Sequence, residues 1–178
     1  MANVTLAEYH SAVLDYLTTQ VAWLTCVEHY PETETELATP CAFFSVLDWE
    51  KSDNQKGNGQ LTLNVNCELL VVYGFSDPDY QVKVRDASMM LSLLIDECRF
   101  GLEIRPAVLT SAEPDSFNPE LDGYAVWSIR WVQPLTIGQV EISAQTFTPG
   151  TVMVGYYPDV GPDKHSDYEV VLNVPQES

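Results

Sequence analysis

The fold is decided by residues 59–99, which read GQLTLNVNCELLVVYGFSDPDYQVKVRDASMMLSLLIDECR. From Leu61 to Tyr73 every odd-numbered side chain is apolar, and the even-numbered ones are polar as far as Glu68. That two-residue period is typical of a half-buried strand. A turn sequence, Gly-Phe-Ser-Asp-Pro, occupies residues 74–78 and ends the strand. Apolar residues then recur at helical spacing, at Val84, Ala87, Leu91, Leu94 and Cys98. We therefore predict a strand and a helix that pack apolar face against apolar face.

Residues on either side of this predicted helix carry signals for its two ends. Asp77 and Asp79 precede the helix, and carboxylates are favoured beside the exposed amides at a helix start. Gly101 follows the helix, and glycine commonly occupies the left-handed position after a helix. We predict that the aspartates cap the start and that Gly101 is the C-cap.

The composition is that of a folded and strongly acidic protein. The chain has 178 residues, of which 46% are apolar, and 26 acidic against 8 basic residues give a net charge of −18. Binding along phosphates depends on Lys and Arg, so this balance disfavours a nucleic-acid-binding surface and suits one that repels nucleic acid. No Lys or Arg precedes Lys51, and the apolar runs are shorter than the roughly 20 residues of a membrane helix. We expect neither a signal peptide nor a membrane span.

The N-terminal third predicts a helix, a loop and a first strand. Residues 5–24 carry an apolar stripe at helical spacing, and Thr5 with Glu8 has the spacing of a capping box. Residues 30–40 predict an acidic loop that lacks the glycine turn of a calcium-binding loop. Residues 41–48 predict the first strand, which a polar Gly-Asn-Gly turn joins to the next strand as a hairpin.

The second half of the chain predicts mainly strands and loops. Residues 102–108 predict a short edge strand interrupted by Pro106, and residues 110–123 predict a loop. Residues 124–132 alternate strongly. Their apolar set is expected to face the core: Ala125, Trp127, Ile129 and Trp131. Stacking of these tryptophans on a base or sugar is the alternative, but the basic surroundings that it needs are missing.

The sequence changes character after Pro134, where long aliphatic residues become sparse. We predict further strands at residues 137–148, 152–157 and 168–174. We expect a domain at residues 1–135, followed at residues 136–178 by a β-rich extension that is either an appendage on the main domain or an arm that pairs with another subunit. The predicted fold class is α+β, a mostly antiparallel or mixed sheet with two main helices packed on it, plus that extension.

No residue pattern predicts catalysis, a cofactor or a metal site. The nucleophile-elbow, zincin, dinucleotide-binding and phosphate-loop motifs do not occur in the sequence. Cys26 and His29 have the spacing of half a zinc site, without a second pair at a matching distance. We interpret the four cysteines as reduced core residues: Cys26, Cys41, Cys67 and Cys98. The protein is therefore not expected to be an enzyme.

Basic residues are concentrated around the predicted helix. Half of the Lys and Arg residues fall between residues 83 and 105. A positive band on a negative protein could meet an acidic patch on an identical neighbour, so we take Lys83, Arg85 and Arg99 as candidates for a subunit interface. The alternative is that these residues balance nearby acids: Asp86, Asp96 and Glu97.

The order of these elements resembles that of the tail-terminator, or minor tail protein U-like, family of long-tailed bacteriophages. The likeness extends over about residues 5–135. It comprises an N-terminal helix, the strand CAFF after Pro40, the long strand of residues 61–73, a helix opening near Arg85 and the strand YAVWSIRW at residues 124–131. The segment from Gly138 departs from the compact family pattern.

The resemblance implies a small α+β subunit that forms a homohexameric ring, caps the finished tail tube and meets the head-side connector or neck protein. It also implies a place in the tail or neck of the virion after assembly in the host cytoplasm, and contact with the tail sheath where a tail is contractile. DNA would cross the channel of such an acidic ring without specific binding, since like charges repel. The resemblance implies no cofactor and no membrane contact.

Three other functions are compatible with the sequence. The first is another neck or tail-completion protein of the virion, or a tube-like subunit, although tube subunits tend to be β-rich throughout. The second is an acidic bacterial domain that binds a small ligand or a protein; a small ligand would need a concave pocket with a few convergent polar groups. The third is an enzyme, which the missing motifs disfavour.

Overall fold

The computed structural model describes residues 3–29, 37–115, 121, 123–140 and 151–173. The chain divides into two compact units, Met1–Glu141 and Ile142–Ser178. The first unit contains, in chain order, α1 (Leu6–Gln20), β1 (Cys26–His29), β2 (Cys41–Lys51), β3 (Leu61–Gly74), α2 (Tyr80–Ile95), β4 (Val108–Pro114) and β5 (Tyr124–Ile137). Two helices with a mixed sheet confirm the predicted α+β class. The domain boundary after residue 135 stays a prediction.

The sheet of the first unit has five strands in the order β1-β2-β3-β5-β4. β1 runs parallel to β2, and the other neighbouring strands are antiparallel. The central strand β3 pairs with β5 along its whole length, from Leu61 opposite Ile137 to Gly74 opposite Tyr124. β2 and β3 form the predicted hairpin, and β2 is longer than predicted because its pairing continues to Lys51.

The main hydrophobic core lies between the helices and one face of the sheet. α1 lies against β1 and β2, and α2 lies against β3, β4 and β5. Odd-numbered residues of β3 and β5 enter this core as predicted, and Ile129 and Trp131 are at most 1% exposed. Trp127, on the same face, is only partly buried at the edge of the core. Burial of such side chains contributes about 1.5–3 kcal/mol each to folding.

The opposite face of the sheet is polar at one end and apolar at the other. Beyond Glu68 a second, smaller apolar cluster covers it: Cys41, Phe43, Leu70, Val72, Leu121 and Val126. Between the two ends, the buried carboxylate of Glu68 accepts hydrogen bonds from Ser128 Oγ at 2.7 Å and Arg130 Nε at 3.0 Å. A carboxylate out of water needs such partners, because burying an unpaired charge is costly.

Tyr9 anchors α1 to the sheet through a buried hydroxyl group. The side chain is 0% exposed, and its Oη accepts a hydrogen bond from Trp131 Nε1 at 3.1 Å. The hydroxyl donates to Gln133 Oε1 at 3.4 Å, and Gln133 Nε2 donates to the carbonyl of Arg105 at 2.6 Å. Helix, sheet and the segment before β4 are therefore joined by one polar network. Among the described residues, every buried side-chain nitrogen and oxygen has a hydrogen-bond partner.

α1 begins as predicted and ends earlier. The Glu8 N–H donates to Thr5 Oγ1 at 3.2 Å, and the Thr5 N–H donates to Glu8 Oε2 at 2.7 Å, which confirms the capping box. The helix stops at Gln20, where the Val21 N–H makes the last helical bond, to the Leu17 carbonyl at 2.9 Å. The chain leaves the helix there to reach β1, so the predicted end at residue 24 is wrong.

The two ends of α2 differ from the prediction. Asp79 occupies the N-cap position with a φ of 59° and makes no side-chain capping bond. The carboxylate of Asp77 pairs instead with Lys83 Nζ at 2.7 Å, so capping by these aspartates is wrong. Asp96 is the C-cap residue, and Gly101 lies in the turn beyond it with a φ of 77°. Glycine adopts that backbone conformation without strain, so the residue has a turn role rather than the predicted cap role.

The two edge strands are poorly predicted by the sequence. β1 was not predicted, and its four residues take their pairing from β2. Residues 102–107 form no strand, and β4 lies where a loop was predicted. This polar segment forms a strand because it pairs with β5, and its own sequence has no apolar pattern that predicts one. Residues 30–36 and 116–120 of the two predicted loops lie outside the described residues.

β5 is longer than predicted because it continues through Pro134. β4 reaches only as far as Val132 in the register of this pair, so at Pro134 β5 has a paired neighbour on one side. Proline lacks an N–H donor and is tolerated at such an edge. Ile137 is the last residue of β5 and residues 138–140 form no strand, so the predicted strand at residues 137–148 is wrong at residues 138–140. Residues 141–150 lie outside the described part.

The second unit contains an antiparallel pair, β6 (Thr151–Val154) and β7 (Glu169–Asn173), with a short 3-10 helix between them at Pro162–Asp167. The Tyr168 ring covers Gly155, where an added β-carbon would lie 2.6 Å from the ring. The Tyr168 hydroxyl accepts a hydrogen bond from the Gly161 N–H at 2.8 Å. These strands correspond to the last two predicted ones. Of the helices that the structure describes, none has the length and apolar character to cross a membrane.

Candidate assembly surface

The outward face of α2 carries large apolar side chains that the other elements of the first unit leave exposed. We call this set the α2 stripe: Val82, Met89, Met90 and Leu93, which are 59%, 74%, 58% and 80% exposed. The inward face is buried separately: Val84, Ala87, Leu91 and Ile95. The sequence could have revealed the stripe, because α2 has more apolar residues than one buried face can use. Contiguous exposed apolar side chains of this kind mark interaction surfaces.

Two of the three predicted interface cations are already bound within the subunit. Lys83 forms the ion pair with Asp77 described above. The guanidinium of Arg85 lies 5.0 Å from the centre of the Trp127 ring, and its Nη1 donates to Gln81 Oε1 at 2.8 Å. Such stacking on an aromatic face holds a cation in place by about 0.5–1 kcal/mol at an exposed site.

Arg99 is placed differently from the other two candidates. It lies in the segment after α2, beside a shallow depression that also includes Leu102 and Arg105. Within the described residues neither Arg99 nor Arg105 forms an ion pair. The 16 residues of α2 span about 24 Å, so Arg99 is separated from Lys83 near the helix start. The three predicted cations therefore do not form one cluster.

The acidic residues that the sequence offered as local partners are used in other ways. The Asp96 carboxylate accepts a hydrogen bond from the Leu109 N–H at 3.2 Å, which ties the end of α2 to β4. Neither Asp86 nor Glu97 forms an ion pair with a described residue. An ion pair within the subunit therefore balances the charge of Lys83, whereas Arg99 is available to pair with a carboxylate of another molecule.

A second exposed apolar surface lies on the face of the sheet that the helices cover, where β3 begins and β5 ends. We call it the Trp49 groove, with about 180 Å³ of free volume, lined by Val4, Leu6, Trp49, Leu63, Val65, Leu135 and Ile137. Trp49 is 58% exposed and Leu6 is 45% exposed. The groove lies beside the start of α1 at Leu6, where the first residues of β3 meet the last residues of β5. No sequence pattern predicted the groove, since Trp49 is flanked by the charged residues Asp48 and Glu50.

Cys26 and His29 do not form half a metal site. They lie three positions apart on β1, and residues at odd spacing on a strand point to opposite faces. Cys26 lies opposite Cys41, whereas His29 contacts His10 of α1. In the described part of the chain no group of three or more His, Cys, Asp or Glu residues is placed to hold a metal ion. The four cysteines are free thiols, as predicted, and burial raises the pKa of Cys41 and Cys67 to about 12.

The comparisons with known proteins find a likeness to solved structures. No protein-family model matches the chain, and no curated protein matches it. Solved structures do match, among them the sheath/tube terminator of an extracellular contractile injection system, PVC, in its extended state. That match has a TM-score of 0.49 and 16% sequence identity, and it covers 92% of this chain and 68% of the other. A likeness this distant does not assign a function.

Proposed function

We propose that this protein is a tail-terminator subunit, whose copies form a homohexameric ring that caps a tail tube and meets the head-side connector. The observation that carries the proposal is the α2 stripe, an apolar helix face that the subunit itself leaves uncovered. The element order that resembles the tail-terminator family of long-tailed bacteriophages supports the particular role. A place in a virion tail or neck, after assembly in the host cytoplasm, follows from that role.

The geometry of the two exposed apolar surfaces favours a ring over a simple dimer. The α2 stripe lies on the outer side of a helix, and the Trp49 groove lies at the uncovered end of the sheet. If the stripe of one copy enters the groove of the next, the two contacting surfaces differ. A contact between different surfaces is head-to-tail and propagates until the rotation closes. A cyclic assembly is therefore the natural product of this pairing.

The charge distribution suits a ring around a DNA channel. With a net charge of −18, an assembled ring presents a negative wall that DNA passes without binding, because like charges repel. Arg99 and Arg105 are positive and form no ion pair with a described residue. We propose that Arg99 contributes to the subunit contact by meeting carboxylates of the neighbouring copy, and that Lys83 and Arg85, near the other end of α2, belong to the same interface.

The second unit offers a surface for further tail proteins. Its two-stranded sheet exposes apolar side chains of β7, with Val170 at 55% and Val171 at 65%. Isolated two-stranded sheets are marginally stable, and their open edges accept added strands. We propose that this unit pairs with a neighbouring subunit, with the tube protein, or with the sheath where the tail is contractile.

The head-to-tail contact predicts a specific pattern of cross-linking. The double variant Leu93→Cys with Trp49→Cys should form a disulfide-linked ladder up to the hexamer under mild oxidation. Either single variant should stay monomeric on a non-reducing gel, because each new thiol faces a residue that is not cysteine. A ladder from Leu93→Cys alone would show a two-fold contact and would contradict the ring.

Imaging and light scattering test the assembly itself. Negative-stain images should show rings with a central hole, and the wild-type mass should be about six times the 19.9 kDa of one chain. Leu93→Asp should reduce the assembly to monomers, whereas the matched variant Val108→Asp should not, because that exposed residue lies on the opposite face of the sheet. Charge reversal at Arg99 should weaken the ring, and an unchanged mass would remove this residue from the interface.

A small-ligand-binding domain is the principal competing function. The Trp49 groove has the concavity of a ligand site, but the residues that line it are all apolar. A site for a polar metabolite needs convergent hydrogen-bonding groups as well. Discrete globules in the images, combined with a thermal shift on adding a metabolite, would favour that function over the terminator.

A further inference from the structure

Two histidines meet where α1 contacts the edge strand β1. His10 is partly buried on α1, and His29 is the exposed last residue of β1. Their Nδ1 atoms lie 3.1 Å apart, with the ring centres at 4.9 Å and the planes tilted by 48°. The rings come from elements 19 residues apart in the chain. The pairing is therefore a feature of the tertiary fold that neither element produces by itself.

The distance between the two Nδ1 atoms limits what lies between them. Two lone pairs cannot face each other at 3.1 Å without a shared proton or cation. Zinc binds imidazole nitrogen at about 2.0–2.1 Å, which places two tetrahedral nitrogen ligands about 3.3 Å apart. The observed separation is close to that value, so the two nitrogens are at chelating distance, and the rings must turn so that both lone pairs point at one ion.

His10 is held between His29 and the core. Partial burial lowers the pKa of His10, and the neighbouring His29 lowers it further. The Phe44 ring lies 4.9 Å from the His10 ring and supports it from the core side.

We propose that His10 and His29 chelate a divalent transition-metal ion through their Nδ1 atoms, with water completing its coordination. Imidazole ligands select Zn²⁺, Ni²⁺ and Cu²⁺ over Mg²⁺ and Ca²⁺, which prefer oxygen. The bound ion connects the N-terminal helix to a four-residue edge strand. The site is independent of ring assembly, because both ligands belong to one subunit.

Calorimetric titration of the untagged full chain with Zn²⁺ and Ni²⁺ tests the site, with Mg²⁺ as the reference ion. His10→Ala and His29→Ala should each weaken Zn²⁺ binding at least tenfold. The chain has three histidines, so His165→Ala is the matched control and should bind as the wild type does. Cys26→Ser should also leave binding unchanged, because that thiol lies on the other face of β1.

Two further measurements do not depend on the variants. Zn²⁺ at a hundredfold excess over its dissociation constant should raise the melting temperature by about 8 °C. The electron paramagnetic resonance spectrum of bound Cu²⁺ should show coupling to two imidazole nitrogens. Equal Zn²⁺ affinity in the wild type and in both histidine variants, or a Cu²⁺ spectrum without that coupling, would overturn the proposal. Absence of binding would identify the contact as an N–H···N hydrogen bond alone.

Discussion

Replacing Tyr9 with Phe tests how α1 is held on the sheet. The substitution keeps the aromatic ring in the core, where Tyr9 is 0% exposed, and removes only the hydroxyl. The indole N–H of Trp131 then loses its acceptor at 3.1 Å, and Gln133 Oε1 loses a weaker donor at 3.4 Å. Gln133 keeps its other bond, to the carbonyl of Arg105.

The expected cost comes mainly from the indole N–H left without a partner. A buried donor without an acceptor costs about 1–3 kcal/mol, so we expect Tyr9→Phe to lower the free energy of unfolding by about 2 kcal/mol. For a chain of this length, the melting temperature should fall by about 6 °C. Burial also raises the pKa of Tyr9 well above its ordinary value, so the hydroxyl keeps its proton over the usual pH range.

Urea denaturation followed by tryptophan fluorescence measures this loss directly. Tyr73→Phe is the matched control, because Tyr73 is 7% exposed and its hydroxyl has no hydrogen bond to the described residues. We expect the control to change the free energy of unfolding by less than about 0.5 kcal/mol. If Tyr9→Phe costs no more than Tyr73→Phe, the hydroxyl does not satisfy the buried indole and the explanation fails.

Two more predictions concern buried ionisable groups. Arg130→Ala should cost about 2 kcal/mol in urea denaturation, because it takes a charged partner from the buried carboxylate of Glu68. Glu113→Ala removes the exposed partner of the same arginine and should cost less than about 0.5 kcal/mol; equal losses would contradict the distinction. Cys67 and Cys41 should make the fold sensitive to alkali, since burial raises each thiol pKa from 9.0 to about 12. The unfolded chain then loses protons that the folded chain keeps, so stability is complete below pH 9 and falls above it by up to about 1.4 kcal/mol per pH unit and thiol. Cys67→Ala should make the measured slope shallower, and an unchanged slope would rule this cause out.

The centre of the sheet could be predicted because its buried face requires an apolar side chain at every second residue. Leu69 and Trp131 alternate with residues of the other face, and both are at most 1% exposed. A one-residue shift in register would move those side chains away from the core, so the two-residue period is strongly constrained. The same reasoning placed Val84, Ala87 and Leu91 on the buried face of α2, whereas Leu94 is only partly buried and Cys98 lies beyond the end of the helix.

The edges of the sheet could not be predicted, because their structure depends on distant partners. β1 has four residues and is a strand through its parallel pairing with β2. β4 is an exposed edge strand with polar side chains, so its sequence resembles that of a loop. Only its pairing with β5 shows that it is a strand. Pro134 indicated the end of β5, and only the length of β4 shows why proline is tolerated there.

The candidate site was predicted in part. The sequence located the basic residues near α2, but it could not show that Lys83 pairs with Asp77 or that Arg85 stacks on Trp127. These contacts join segments whose approach the sequence pattern does not specify. The exposure of Leu93, at 80%, was open to prediction, because the residue is apolar and lies off the buried face of the helix.

The pairing of β3 with β5 has a consequence for how the chain reaches its native state. All of α2 and β4 are synthesised after β3 and before β5. In a growing chain, one edge of β3 therefore stays unpaired until β5 emerges. An open apolar strand edge recruits other chains, and contacts between residues far apart in sequence form slowly. Translation products that stop before Tyr124 therefore lack the partner of their central strand and are expected to aggregate, whereas the completed chain closes that edge itself.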